Sequence, residues 1–365
     1  AICLLLWLAT WRHFGPQMRG PILALEALLI SLSWYPLRTR LLSLLGGAYL
    51  VLAQIGCIVM VRSHPDAVSL WAPLATAAFS LMVLHWWQRQ RSVELSNDHR
   101  NFLVGLLSLG IVGLLYYGIE PLVSAQAWLA LSALLAVAFG AYGILTRTLP
   151  LAALGQIFLA NSAWQFLVQT LTGHPAWWAA LCPVIVLGGY ALLGGEWLHR
   201  IGKSNPKKTE NFTPAVYACS IGVVLLSTIY VYEYFDVSFR FLLLALVGTA
   251  LFLRGAVDRV KGRVELGSAF VGAGHLLFWM HCLQGGTAHG LDLLAIVLLM
   301  GHHLAAVRLK NVFHLDRRHH TAIILSGGAS LWLWVTRWSM EVQGGFLMTV
   351  AWGGLAFLLI AIGFG

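Results

Sequence analysis

Charge is what this sequence has least of. Asp, Glu, Lys and Arg make up 10% of its 365 residues, whereas a soluble domain carries about a quarter. The length alone would accommodate two or three soluble domains, but a chain this poor in charge has too little polar surface to cover them. Acids are scarcer than bases, 14 against 23. The five cysteines, Cys3, Cys57, Cys182, Cys219 and Cys282, lie in or at the edge of apolar segments without C-x-x-C spacing. They read as small buried hydrophobes, not as disulfides or zinc ligands. A P-loop, G-x-S-x-G, H-E-x-x-H and a dinucleotide fingerprint are all missing, which removes the common soluble-enzyme signatures. So is any Lys/Arg-rich arm or RNA-binding sheet signature, so no nucleic-acid partner is expected. No charged leader precedes the first apolar run. The chain opens on Ala1-Ile2-Cys3 and stops at Gly365 as a span ends, so both ends read as cuts in a longer protein.

What the chain does have is long apolar runs. Hydrophobic residues reach 59% and the mean hydropathy is +0.78. The 16 tryptophans suit interfacial belts, where an apolar ring with a polar N–H fits the headgroup region. A helical span needs about 20 mainly apolar residues. Candidates run over 1–10, 21–35, 41–61, 70–88, 101–122, 125–146, 149–172, 176–199, 213–235, 238–257, 264–285, 290–308, 321–340 and 345–364. The expected fold is an all-α, polytopic integral membrane bundle of about fourteen transmembrane helices in antiparallel hairpins.

The basic residues are not scattered. Arg38 and Arg40, Arg89, Arg91 and Arg100, Arg147, and Arg200, Lys203, Lys207 and Lys208 fall on alternate loops. The same alternation continues through Arg254, Arg259, Lys261 and Arg263, and then Arg308, Lys310, Arg317 and Arg318. Loops between them hold Arg12, Arg19, Arg62, Arg240 and Arg337, with acids such as Glu120, Glu233, Asp236, Asp292 and Glu341. The positive-inside rule makes the basic loops cytoplasmic, and with them both ends of the chain, in a bacterial-type cytoplasmic (inner) membrane. Ser204-Asn205-Pro206-Lys207-Lys208 marks a linker over 203–212. It separates a membrane domain of eight helices (1–202) from one of six (213–365).

A hairpin unit recurs loosely: an apolar span, a short Arg-containing turn, then a span opening with Leu and Gly. Leu23-Ala24-Leu25-Glu26-Ala27-Leu28-Leu29, the turn Pro36-Leu37-Arg38-Thr39-Arg40 and the span after it resemble one unit of the DUF2339 family of polytopic membrane proteins. Thr349-Val350-Ala351-Trp352-Gly353-Gly354-Leu355, running to Gly363, is similar to that family's Trp-led span before such a turn. The resemblance implies many spans of unknown chemistry and transfers no catalytic residue.

Ionisable and amide groups at membrane depth are the candidate functional residues. Glu26 lies about six residues into its span, either bonded to a neighbouring helix or lining a pathway. His275 and His281 sit on one span, but a six-residue separation puts them on different faces, so they do not clamp one haem. Each is a candidate for an imidazole bonded across helices, or for a pigment or haem ligand with a partner elsewhere. His302 and His303 are weak metal candidates beside four Lys and Arg. Gln156, Asn161, Gln165 and Gln169 form an amide stripe through the i,i+4 pairs 161/165 and 165/169. Such a stripe either lines a hydrated cavity or knits helices together, and Gln54 is its possible partner.

Outer loops of a handful of residues leave little room for chemistry outside the membrane. The expected function is therefore a non-enzymatic integral membrane component, a scaffold or accessory subunit packing against other membrane protein subunits and lipid. No catalytic residue, resident metal or cofactor is expected, and bound lipid is. The alternative is a transporter or flippase for a small polar or lipid-linked substrate, with Glu26, Gln54 and the amide stripe converging on one cavity. An envelope enzyme acting on lipid-linked sugars ranks third.

Overall fold

The computed structural model describes residues 8–10, 12–33, 40–89, 97–202, 213–258, 260–308, 317–342, 349–354 and 356. Among these the protein is helical, with no strand. The long helices are α1 (Pro16–Leu32), α2 (Arg40–Ser63), α3 (Trp71–Arg89), α4 (Asn97–Ile119), α5 (Ala125–Thr146) and α6 (Leu149–Gly173). They continue with α7 (Trp177–Gly202), α8 (Thr213–Tyr234), α9 (Val237–Asp258), α10 (Lys261–Leu283), α11 (Gly290–Arg308) and α12 (Arg317–Val342). Eight of them, α2 and α4 through α10, are long and apolar enough to cross a membrane. Their length follows from composition: 20 to 25 residues each give about 30 Å or more at 1.5 Å per residue. The other four also fall where spans were expected, but that group of eight does not include them. The expected spans at 1–10 and 345–364 lie mostly outside the described residues, as does the linker over 203–212.

The first unexpected boundary is at α1. It starts at Pro16, five residues before the apolar run that marks it. Proline at the first turn is already set to helical φ and has no N–H to leave unpaired. Arg19 Nε then donates to the Phe14 carbonyl at 2.8 Å, so Arg19 belongs to the helix entry and not to a loop.

The chain divides into two compact units at Pro183, inside α7. In the first, α1 packs on α2 and α3, α4 lies against α2, α3 and α6, and α5 pairs with α6. The α5–α6 turn is closed by Thr148 N–H to the Gly143 carbonyl (2.7 Å) and Arg147 N–H to the Ile144 carbonyl (3.3 Å). That is a Schellman motif, with Arg147 in the left-handed region at φ 60°. Gly143 brings the two helices together, since a Cβ there would lie 2.5 Å from Ala152 Cβ.

In the second unit α9 and α10 make the tightest pair, α8 packs on α10, α11 on α9 and α12, and α12 on α10. Backbone meets backbone where Gly248 faces Gly267: a Cβ on Gly267 would sit 2.5 Å from the Gly248 carbonyl oxygen. Small residues permit this approach in membranes, where packing and not hydrophobicity holds helices together. Phe241, Val271, Phe278, Cys282, Ala295 and Ile296 fill the core between α9, α10 and α11. Outside, large apolar side chains are bare, among them Leu145 (83% exposed), Leu171 (85%) and Leu193 (73%). Water would penalise such a surface; hydrocarbon does not.

Candidate functional site

Most of the polar residues singled out in the sequence are held by a neighbouring helix. Glu26, on α1, accepts from Thr10 Oγ1 at 2.7 Å and from Tyr49 OH of α2 at 2.6 Å. Gln54, on α2, is buried and donates from Nε2 to Ser80 Oγ of α3 at 3.1 Å. Ser80 Oγ in turn donates a hydrogen bond to the Thr76 carbonyl at 2.7 Å. Gln54 Oε1 has no hydrogen-bond partner among the described residues and lies against Gly110 of α4.

The amide stripe of α6 divides the same way. Asn161 Oδ1 accepts from Tyr116 OH of α4 at 3.0 Å, and its Nδ2 is buried without a partner among the described residues. Gln169 Nε2 donates to the Ala125 carbonyl at 3.0 Å, and its approach to Gln165 Oε1 is 3.5 Å. Gln156 bonds the Ala152 carbonyl of its own helix at 3.1 Å. From that stripe Asn161 is bonded to α4 by Tyr116 and Gln169 to the start of α5 by the Ala125 carbonyl. Glu26, Gln54 and Asn161 therefore have different partners, and neither of the two cavities described below is lined by any of them.

In the second unit His275 is buried, its Nδ1 2.6 Å from Ser330 Oγ of α12. Trp279 Nε1, one turn along α10, donates to the same oxygen at 2.7 Å. His275 thus ties α10 to α12, beside the Phe241 ring at 5.4 Å. His281 lies at the end of α10, where its Nε2 is 3.1 Å from the Thr287 carbonyl and its ring stacks on His289. The two histidines have separate surroundings, as their spacing requires. The side chains of His302 and His303 lie outside the described residues.

Charge gathers at both ends of this unit. Where α9 closes and α10 opens, Arg263 bridges Glu196 of α7 and Asp258 of α9. Arg254 also pairs with Asp258 at 2.9 Å, Lys261 with Glu265 at 3.5 Å, and Tyr217 OH of α8 donates to Glu265 at 3.1 Å. A cavity of about 650 Å³ opens beside this group between α7, α8 and α10. At the opposite end a smaller cavity of about 210 Å³ is lined by Arg240, His281, Gln284 and Asp292. Asp292 is buried and accepts the His289 N–H at 2.9 Å. Arg240 sits 4.3 Å over the Tyr232 ring and donates to the Phe235 carbonyl at 2.9 Å.

Sequence reasoning missed the hydroxyl partners Tyr49, Tyr116, Ser80 and Ser330, and the network around Arg263. The pairs Arg254/Asp258 and Lys261/Glu265 carried the available signal, since i,i+4 opposite charges share a helix face. Nothing local marks the hydroxyls, because each belongs to a different helix from the group it meets. Compared with protein-family models, curated proteins and solved structures, the chain matches none.

Proposed function

We propose that the protein is a non-enzymatic integral membrane component, a scaffold or accessory subunit that packs against partner proteins and lipid. One observation carries this reading: Glu26, Gln54, Asn161 and His275 each tie neighbouring helices, while bulky apolar side chains face outward. Interhelical bonds of this kind contribute about 0.6–2 kcal/mol each and hold a bundle without doing chemistry. In this reading some fourteen spans cross a bacterial-type inner membrane, with basic loops and both chain ends on the cytoplasmic side. Membership of the DUF2339 family belongs to the same proposal, on the strength of the 23–29 and 349–355 motifs; its turn at 36–39 lies outside the described residues.

The test is photocrosslinking in the native membrane from Leu145, Leu171 and Leu193. A discrete protein adduct at a subset of these positions is the expected result. Lipid adducts alone at every position would overturn the reading.

The alternative of a transporter or flippase draws on the 210 Å³ cavity with Arg240, His281, Gln284 and Asp292 at its wall. It requires those four, and not Glu26 or the α6 amides, to contact the solute. Solute-dependent protection of a cysteine at position 284 from thiol reagents would favour it.

A further inference from the structure

The 650 Å³ cavity of the second unit has the volume of a ligand site, within the roughly 300–1,000 Å³ usual for small molecules. Its polarity is graded along its length. Ala191 and Gly195 of α7, Leu225 of α8, and Leu266 and Ala269 of α10 make most of the wall apolar. Ser220, midway along the stretch of α8 that lines the groove, donates to the Val216 carbonyl of its own helix. Polar groups collect where α8 and α10 begin, at Tyr217, Lys261 and Glu265, with both the Tyr217 hydroxyl and the exposed Lys261 ammonium turned to the Glu265 carboxylate.

Length and access also fit one kind of occupant. From Thr213 to Leu225 the groove follows α8 for about 18 Å of helix axis. One leaflet contributes about 15 Å to a hydrocarbon core of roughly 30 Å. The groove is thus one leaflet deep, polar at the water end and apolar at the midplane end. It opens sideways past Ile221 and Leu225, which are 61% and 58% exposed, so a chain can enter from the bilayer.

The mouth presents one positive and one negative group side by side. Lys261 Nζ is 3.5 Å from Glu265 Oε1, and its side chain is 79% exposed. Arg263, on the same turn, is already engaged by Glu196 and Asp258. Lys261 suits a phosphate and Glu265 suits an ammonium. A phosphate alone would draw Lys261 from Glu265 and leave the carboxylate without its counter-charge, which a headgroup ammonium restores.

We propose that this groove holds one zwitterionic, amine-bearing phospholipid, with an acyl chain along α8, its phosphate on Lys261 and its ammonium on Glu265. The proposal rests on the reading of α7, α8 and α10 as membrane spans. It makes the lipid a bound component at a defined place, distinct from the general lipid contact of the exterior.

The test uses the full chain in nanodiscs of equimolar phosphatidylethanolamine and phosphatidylglycerol, followed by detergent extraction and native mass spectrometry. One phosphatidylethanolamine per chain is expected to survive extraction. Gly195→Leu fills the groove, since a Cβ there meets nothing within 4 Å, and is expected to lower retention at least tenfold with an unchanged elution profile. Should that variant misfold, the exposed Ala269→Trp fills the groove from α10. Glu265→Gln is expected to keep a bound lipid but lose the preference for ethanolamine. Equal retention in wild type and both filled variants would overturn the proposal, as would a preference for phosphatidylglycerol. Retention that rises when residues 203–212 are replaced by a Gly-Ser linker would overturn it too, by showing that the chain itself occupies the groove. Nanodisc entry without a retained lipid refutes the site alone; failure to enter nanodiscs refutes the membrane reading beneath it.

Discussion

Replacing Gln54 with methionine separates a helix tie from a pathway residue. Gln54 is 1% exposed on α2 and makes one hydrogen bond, from Nε2 to Ser80 Oγ. Its Oε1 is buried against Gly110 with no partner among the described residues. Gln54→Met removes the bond, a loss of about 0.6–1.7 kcal/mol by the scale of interhelical bonds in membranes. It also removes the orphaned carbonyl, whose burial costs about 1–3 kcal/mol. Ser80 keeps its own acceptor, the Thr76 carbonyl at 2.7 Å, so nothing new is stranded. Methionine has the same unbranched shape and fills the slot beside Gly110 without overpacking. The expected net effect runs from about 0.7 kcal/mol less stable to about 2.4 kcal/mol more stable. Ser80→Ala is the counterpart: it strands the amide at both ends and is expected to cost about 1–3 kcal/mol. The double variant should cost less than the sum of the singles. Reversible unfolding in mixed detergent micelles measures all three. A loss of stability in Gln54→Met comparable with that in Ser80→Ala would refute the reasoning, because Oε1 would then have to be satisfied, as in a hydrated path.

Three further outcomes are expected. Gly267→Ala should destabilise the α9–α10 pair by about 1–3 kcal/mol, the cost of overpacking, because its Cβ meets the Gly248 carbonyl at 2.5 Å. Gly272→Ala on the same helix meets nothing within 4 Å and should be neutral or stabilising; equal melting temperatures for the two variants would contradict the close approach. Arg147→Gly should stabilise the α5–α6 hairpin by about 1 kcal/mol, since a side chain at φ 60° carries the left-handed penalty, and an unchanged or lower Tm would count against the turn described. Arg263→Met removes the guanidinium shared by Glu196 and Asp258, 28% and 25% exposed, while Arg254 still pairs with Asp258. A buried pair so broken loses 3–5 kcal/mol, and at this exposure about 1–2 kcal/mol is expected. Adding Glu196→Gln should recover part of it, and no recovery in detergent unfolding would exclude the bridge.

Helix positions were the legible part of the fold. The apolar run 125–146 coincides with α5, and 149–172 falls one residue short of α6, because Arg147-Thr148 interrupts an otherwise continuous run. α1 was misjudged because Met18, Arg19 and Gly20 look like loop, whereas Pro16 starts the helix before the apolar stretch begins. The candidate site was legible only as a set of residue types. Spacing placed His275 and His281 on different faces, and they do have separate partners. Spacing also put Asn161, Gln165 and Gln169 on one stripe, but it could not show that Tyr116 of α4 meets Asn161. A periodicity states which face a residue occupies on its own helix. It carries no information on which helix lies opposite.

The sequence by itself determined that this is an all-helical chain with spans long and apolar enough for a bilayer, because hydrocarbon tolerates only closed backbone hydrogen bonding and few charges. Its scarcity of acids and its alternating basic loops set the expected orientation. The tertiary structure decided how the few polar groups are used: Glu26 by Thr10 and Tyr49, Gln54 by Ser80, His275 by Ser330. It also decided that α7, α8 and α10 leave a groove with Lys261 and Glu265 at its mouth. Those pairings depend on contacts between different helices, and elsewhere small residues such as Gly248 and Gly267 let backbones meet. Close packing is a property of two surfaces together, and one strand of sequence describes each surface alone.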